Sequence, residues 1–150
     1  MIIRSLIGLT AVFLVAASGQ ASADCGAAVE IGPSSITVTP ESGADTENLQ
    51  CALEHAADNG IPTVSLDEGA FDIASVSVTG FDGTLTGKSQ SKTVVNIIAD
   101  GVDCDAPDPS ALRFYAGAPS VEKMTLVIGE MCGASGARAS AVGFYSDIED

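Results

Sequence analysis

The stretch ADTENLQCALEHAADNGIPTVSLDEGAFDI, residues 44–73, decides how this chain is read. Leu49, Ala52, Leu53 and Ala56 fall at i, i+3, i+4 and i+7, one apolar stripe along an α-helix. Asp45 is placed to cap the helix, and Glu47 stands in the first turn, where a negative charge suits the helix dipole. Asn59-Gly60 supplies the stop, and Pro62 follows it. Glu47, Gln50, Glu54 and Asp58 lie off the stripe. The hydrophobic period then drops to two. Val64 and Leu66 alternate, and so do Phe71 and Ile73, with Gly69 at the turn between them.

Working outward, Val76 and Val78 alternate, Leu85 stands among Gly80, Gly83 and Gly87, and Thr93–Ile98 is a stronger run. Leu112–Tyr115, Met124–Ile128 and Val142–Tyr145 follow. One helix and many short strands predict an all-β sandwich, barrel or solenoid. Asp82-Gly83 and Asp100-Gly101 are the only Asp-Gly hairpin signals, and the strands are short and Val/Ile-rich. Both features favour strands stacked in parallel layers. Upstream, Ile36-Thr37-Val38 alternates within a lead-in that Pro40, Ser42 and Gly43 end.

The first residues read as an export signal. Arg4 precedes the apolar run Leu6–Ala17, and Ala21-Ser22-Ala23 offers a small-x-small cleavage site before Asp24. That run is shorter than the roughly 20 apolar residues a membrane span needs. The expected organisation is a signal peptide over 1–23, a lead-in arm over 24–44 and the folded body over 45–150. Loss of Arg4 alone would take the net charge from −14 to −15. So acidic a chain argues against nucleic acid or an anionic membrane as partner, since both need clustered Lys and Arg.

Four cysteines remain, Cys25, Cys51, Cys104 and Cys132, with no C-x-x-C spacing. An even count in an exported chain predicts two disulfides among three possible connectivities. Cys51 lies about 200° around the helix from Leu49, so it points away from the stripe. The Cys25 segment is the nearest candidate to cross that outer face and pair with it.

The order of elements in Asp45–Ile98 resembles the N-terminal part of the pectate-lyase-like, right-handed parallel β-helix superfamily. The residues carrying the likeness are Asp45-Thr46, the helix Leu49–Ala57, Gly60, the strand Thr63–Leu66, Gly69 and Phe71-Asp72-Ile73. Asp67 departs from the family's usual proline. The resemblance implies an all-β solenoid, short or truncated at two to three coils, with the helix capping the first. It also implies a secreted protein related to polysaccharide-active enzymes, without a complete active site here. Stacked coils would set successive loops side by side, which favours Cys104–Cys132 and leaves Cys25–Cys51.

Candidate chemistry is sparse. Asp100, Asp103 and Asp105, with Asp108 in the loop DGVDCDAPDP, could take Ca2+, although the spacing is not that of an EF-hand. The plainer reading is an exposed loop stapled by Cys104. Tyr115 and Tyr145, on two similar Phe-Tyr strands, could stack on sugar rings if they point outward. Ordinary ring packing is the alternative. His55, the only histidine, reads as a solvated helix residue beside a disulfide. Arg113, Lys123 and Arg138 sit in no recognisable motif. No catalytic residue can be named. The second functional expectation is therefore a non-catalytic module for adhesion, envelope attachment or partner binding.

Overall fold

The computed structural model describes residues 25–98, 102–105, 109–129, 132 and 140–146. The expected signal peptide, Asp100, Asp108, Arg138 and the acidic tail from Asp147 lie outside these residues. The lead-in forms β1 (Val29–Ile31) and β2 (Ile36–Val38), followed by α1 (Asp45–Asn59). Nine strands come after: β3 (Thr63–Leu66), β4 (Gly69–Ile73), β5 (Val76–Thr79), β6 (Thr84–Gly87), β7 (Thr93–Ile97), β8 (Ser110–Tyr115), β9 (Ser120–Glu122), β10 (Thr125–Ile128) and β11 (Ser140–Tyr145).

These nine form three sets of three, and each set gives one strand to each of three sheets. The sheet orders are β1-β2-β3-β6-β9, β10-β7-β4 and β11-β8-β5. Pairing is parallel throughout except for β1 against β2. The register aligns apolar residues in rows. Ile36, Val64, Leu85 and Val121 make one row. Phe71, Val95 and Leu126 make a second, and Val78, Phe114 and Phe144 a third. Period-two alternation points each row into one core.

The expected all-β solenoid is corrected: this is a small mixed α/β fold. The 15-residue helix is part of the body, since Leu49, Ala52, Leu53 and Ala56 belong to the same buried cluster as the strands. One sheet is mixed, and the other two are short and parallel. The strand runs were legible, but class depends on what shares the core. Here a helix does. Leu49 and Leu53 are fully buried, each contributing about 1.5–3 kcal/mol of transfer free energy.

The polar side of α1 is a second correction. Asp45 does not cap the helix; Ala44 holds that position and gives no side-chain cap. The buried Asp45 carboxylate instead accepts the Glu41 N–H at 2.6 Å and the Asp72 N–H at 2.9 Å. Thr46 Oγ1 accepts the Ala74 N–H at 3.0 Å. Gln50 is not left to solvent either. Its Oε1 accepts the Ser77 N–H at 2.8 Å, and its Nε2 donates to the Ser77 carbonyl at 2.6 Å. Asp72 and Ser77 lie on β4 and β5, whose other edges face β7 and β8, and Ala74 lies at the corner between them. Helix side chains therefore stand where a neighbouring strand would, and they cover an edge that would otherwise be unpaired.

Two corners complete the frame. Gly60 closes α1 in the left-handed region (φ 63°), with its N–H on the Ala56 carbonyl. Gly69 opens β4 at φ 137°, where an added Cβ would meet Pro40 Cγ at 2.7 Å. The buried Thr93 hydroxyl donates to the Asp67 carbonyl at 3.0 Å and accepts the Lys88 N–H at 2.9 Å, joining successive turns.

Asp45→Ala should lower stability by about 2–3 kcal/mol, because it leaves two N–H groups without their carboxylate acceptor. Urea unfolding of the oxidised protein measures this. A loss below about 0.5 kcal/mol would mean that water replaces the carboxylate.

Candidate functional site

Both disulfides form, Cys25–Cys51 and Cys104–Cys132, each with Cα atoms 5.5 Å apart. Cys51 is half-buried on α1 and outside its buried stripe, and the Cys25 that reaches it is itself buried. Cross-linked cysteines are characteristic of an oxidising compartment. Among the described residues no helix is long and apolar enough to cross a membrane.

Of the residues picked out for calcium, Asp103 and Asp105 lie among the described residues. Asp103 Oδ1 accepts the Asp105 N–H at 3.0 Å, a turn within its own loop. Asp100 lies outside the described residues. Among those described, no three His, Cys, Asp or Glu side chains are grouped to hold a metal ion. His55 is half-buried on α1, where its carbonyl accepts the Asn59 side-chain amide.

Tyr115 and Tyr145 are brought together, with ring centroids 4.9 Å apart. Each ring therefore spends one face on the other. The Tyr145 hydroxyl lies 3.0 Å from Ser110 Oγ, which lies 2.7 Å from Ser140 Oγ. On the core side, Phe81, Phe114 and Phe144 form a ladder with centroid spacings of 6.3 and 5.6 Å. Alternation along β8 and β11 thus sends the phenylalanines inward and the tyrosines outward.

The charged side chains are engaged locally. Lys92 donates to Glu68 Oε2 at 3.0 Å, and Lys88 lies 3.6 Å from Asp67. The hydrogen bond to Glu68, and then its charge, hold the Lys92 ammonium above its ordinary pKa, with Asp67 adding to the effect. Arg113 donates to Ser75 Oγ at 3.0 Å, while its buried Nε finds no acceptor among the described residues.

The feature that sequence reading missed is the far end of the stack. Among the described residues, no strand pairs with the outer edges of β9, β10 and β11. No helix covers them as α1 covers β4 and β5. Two residues of these strands are exposed although they face the core side, Ile128 at 51% and Phe144 at 58%, whereas the exposed Val127 lies on the outward face in register with Asn96. Ile128 and Phe144 are in register with the buried Ile97 and Phe114. Among the described residues, no strand lies beyond them. β9, β10 and β11 are each the last described strand of their sheet. Met124–Ile128 and Val142–Tyr145 were readable as strands. That they lie at an edge is a tertiary fact with no local signal.

No protein-family model matches the chain, and neither a curated protein nor a solved structure matches it at the significance required.

Tyr145→Phe tests the hydroxyl chain. It should cost about 1 kcal/mol in denaturant unfolding, the worth of one intramolecular hydrogen bond. An unchanged midpoint would show that Ser110 and Ser140 satisfy one another without it.

Proposed function

We propose that the chain is an exported, disulfide-braced binding module whose open end takes extended segments of a partner protein. It works outside the cytosol, in the extracellular or periplasmic space. The observation carrying this reading is the contrast between the two ends of the stack. At one end, Asp45, Thr46 and Gln50 satisfy strand edges and Leu49 and Leu53 seal the core. At the other, no described strand pairs with the outer edges of β9 and β10, and the core-facing Ile128 and Phe144 are exposed. An exposed apolar patch at the end of a sheet marks an interaction site.

Strand addition would supply main-chain hydrogen bonds for affinity and alternate side chains for specificity. The fitting partner carries apolar residues at every second position, to continue the rows that end at Val121, Leu126 and Phe144. The tyrosine pair, with its hydroxyl bonded to Ser110, serves in this reading to stiffen the sheet that carries Phe144.

Hydrogen exchange on dilute oxidised protein tests the reading, with a synthetic peptide of residues 140–145, SAVGFY, as probe. Amides of β9, β10 or β11 should gain protection with this peptide and not with its scrambled form. Absence of protection overturns the proposal. Release of reducing ends from an acidic polysaccharide, with or without added Ca2+, does so as well, because it would make the chain an enzyme.

A further inference from the structure

We infer that the groove between the second half of α1 and the end of β5 takes a short, extended, basic segment of a partner protein. The site lies at the closed end and stands apart from the binding reading above. Thr46, Gln50, Glu54 and Asp58 follow one another four residues apart, along one side of the helix. The first two bond the backbone at Ala74 and Ser77. The pattern then changes. Glu54 accepts a hydrogen bond from Gln50 Nε2 at 2.6 Å, and Asp58 is exposed. A cavity of about 320 Å3 lies between Glu54, Ala57 and Asp58 on the helix and Ser77, Val78 and Thr79 on the strand. A second, of about 200 Å3, shares Ala57 with it and runs on to Ile61, Gly80 and Asp82.

Backbone geometry supplies the recognition. The Gly80 N–H donates to the Tyr115 carbonyl at 2.8 Å, so Gly80 faces β8. Successive residues of a paired strand turn their backbone groups to alternate sides. Thr79 and Ser77 therefore face away from β8, and the Gln50 bonds to Ser77 lie on that side. At Ser77 the Gln50 carboxamide meets both the N–H and the C=O. At Thr79, which is exposed, no described side chain meets either. The carboxylates of Glu54 and Asp58 could not meet both, because an ionised carboxylate accepts and does not donate. The occupant that fits is a peptide unit, which brings a C=O and an N–H together.

Charge selects the segment. Glu54, Asp58 and Asp82 stand around the two cavities, and residues 25–87 contain no lysine or arginine. Asp82 spends one oxygen on the Ala118 N–H. α1 ends at Asn59 with no basic residue in its last turn, so the negative end of the helix dipole adds to the carboxylates. Arg113 of the neighbouring β8 turns its guanidinium to Ser75 Oγ, ahead of β5, whereas Thr79 is the last residue of that strand. Between the carboxylates, Ala57 and Ile61 offer apolar surface for the stem of a lysine or arginine whose head reaches the acids.

Titration of the isotope-labelled, oxidised protein with the blocked peptide acetyl-KVKVK-amide, followed by amide NMR, tests this. The Thr79 and Asp58 amides should shift, and acetyl-EVEVE-amide should move neither. Glu54→Gln with Asp58→Asn should weaken binding about tenfold, the worth of two exposed charge pairs. Thr79→Pro removes the outward N–H and keeps both bonds to β8, as an edge position allows, and should weaken binding about fivefold. Glu30→Gln with Glu47→Gln removes the same charge outside the groove and should change affinity less than about twofold. Circular dichroism and the absence of free thiols verify that each variant is folded, and the exposed Gln/Asn pair decides if the proline variant is not. Thr79 unmoved at the highest soluble peptide concentration overturns the inference. Equal losses from the two charge pairs mean that the peptide answers net charge alone. Full affinity in folded Thr79→Pro means that no strand pairing occurs. Shifts confined to β9, β10 and β11 put the peptide at the open end, which removes this site and leaves the binding reading standing.

Discussion

The structure depends on a substitution of side chains for backbone. A parallel sheet must end somewhere, and its last strand has N–H and C=O groups with no neighbour. At the closed end those of β4 and β5 are met by α1. Asp45 reaches the Asp72 amide, Thr46 the Ala74 amide, and the Gln50 carboxamide holds both the N–H and the C=O of Ser77. Because these three polar residues flank the stripe of Leu49, Ala52, Leu53 and Ala56, one helix face seals the core while its border pairs with the edge. Shifting the helix along the strands would break the hydrogen bonds and unseat the leucines together. The disulfide Cys25–Cys51 holds the outside of the same helix.

Much of this was legible in the sequence, and the boundary of what was not is physical. The helix stripe, the Gly60 stop, the alternating pairs Val64/Leu66 and Phe71/Ile73, and the outward aim of Cys51 all follow from local periodicity, and each is where that periodicity put it. The fold class did not follow. It turns on α1 sharing one core with three sheets, which is a matter of long-range packing. Asp45 looks like a helix cap because the residue type and position suit one. A buried backbone amide on β4 competes for the carboxylate and wins. Gln50 looks like a wet residue for the same reason: its partner lies 27 residues away. The open end was the least legible of all. Nothing in Leu126–Ile128 distinguishes a strand with two neighbours from a strand with one.

The candidate chemistry fared according to the same logic. Asp103 and Asp105 are close in sequence, and the structure spends one on the backbone of the other. Tyr115 and Tyr145 are 30 residues apart, yet parallel register makes them neighbours. Residues brought together by register serve the stack first.

Cys25 and Cys51 are separated by only 26 residues, and β2, α1 and β3 lie within or just after that span. The closed end is therefore fastened by a cross-link that is local in sequence. Each later set of strands needs only the set before it as a template, since β6 pairs on β3 and β9 on β6. Each layer of strands thus rests on the one before it, and the first rests on the base that this disulfide fastens.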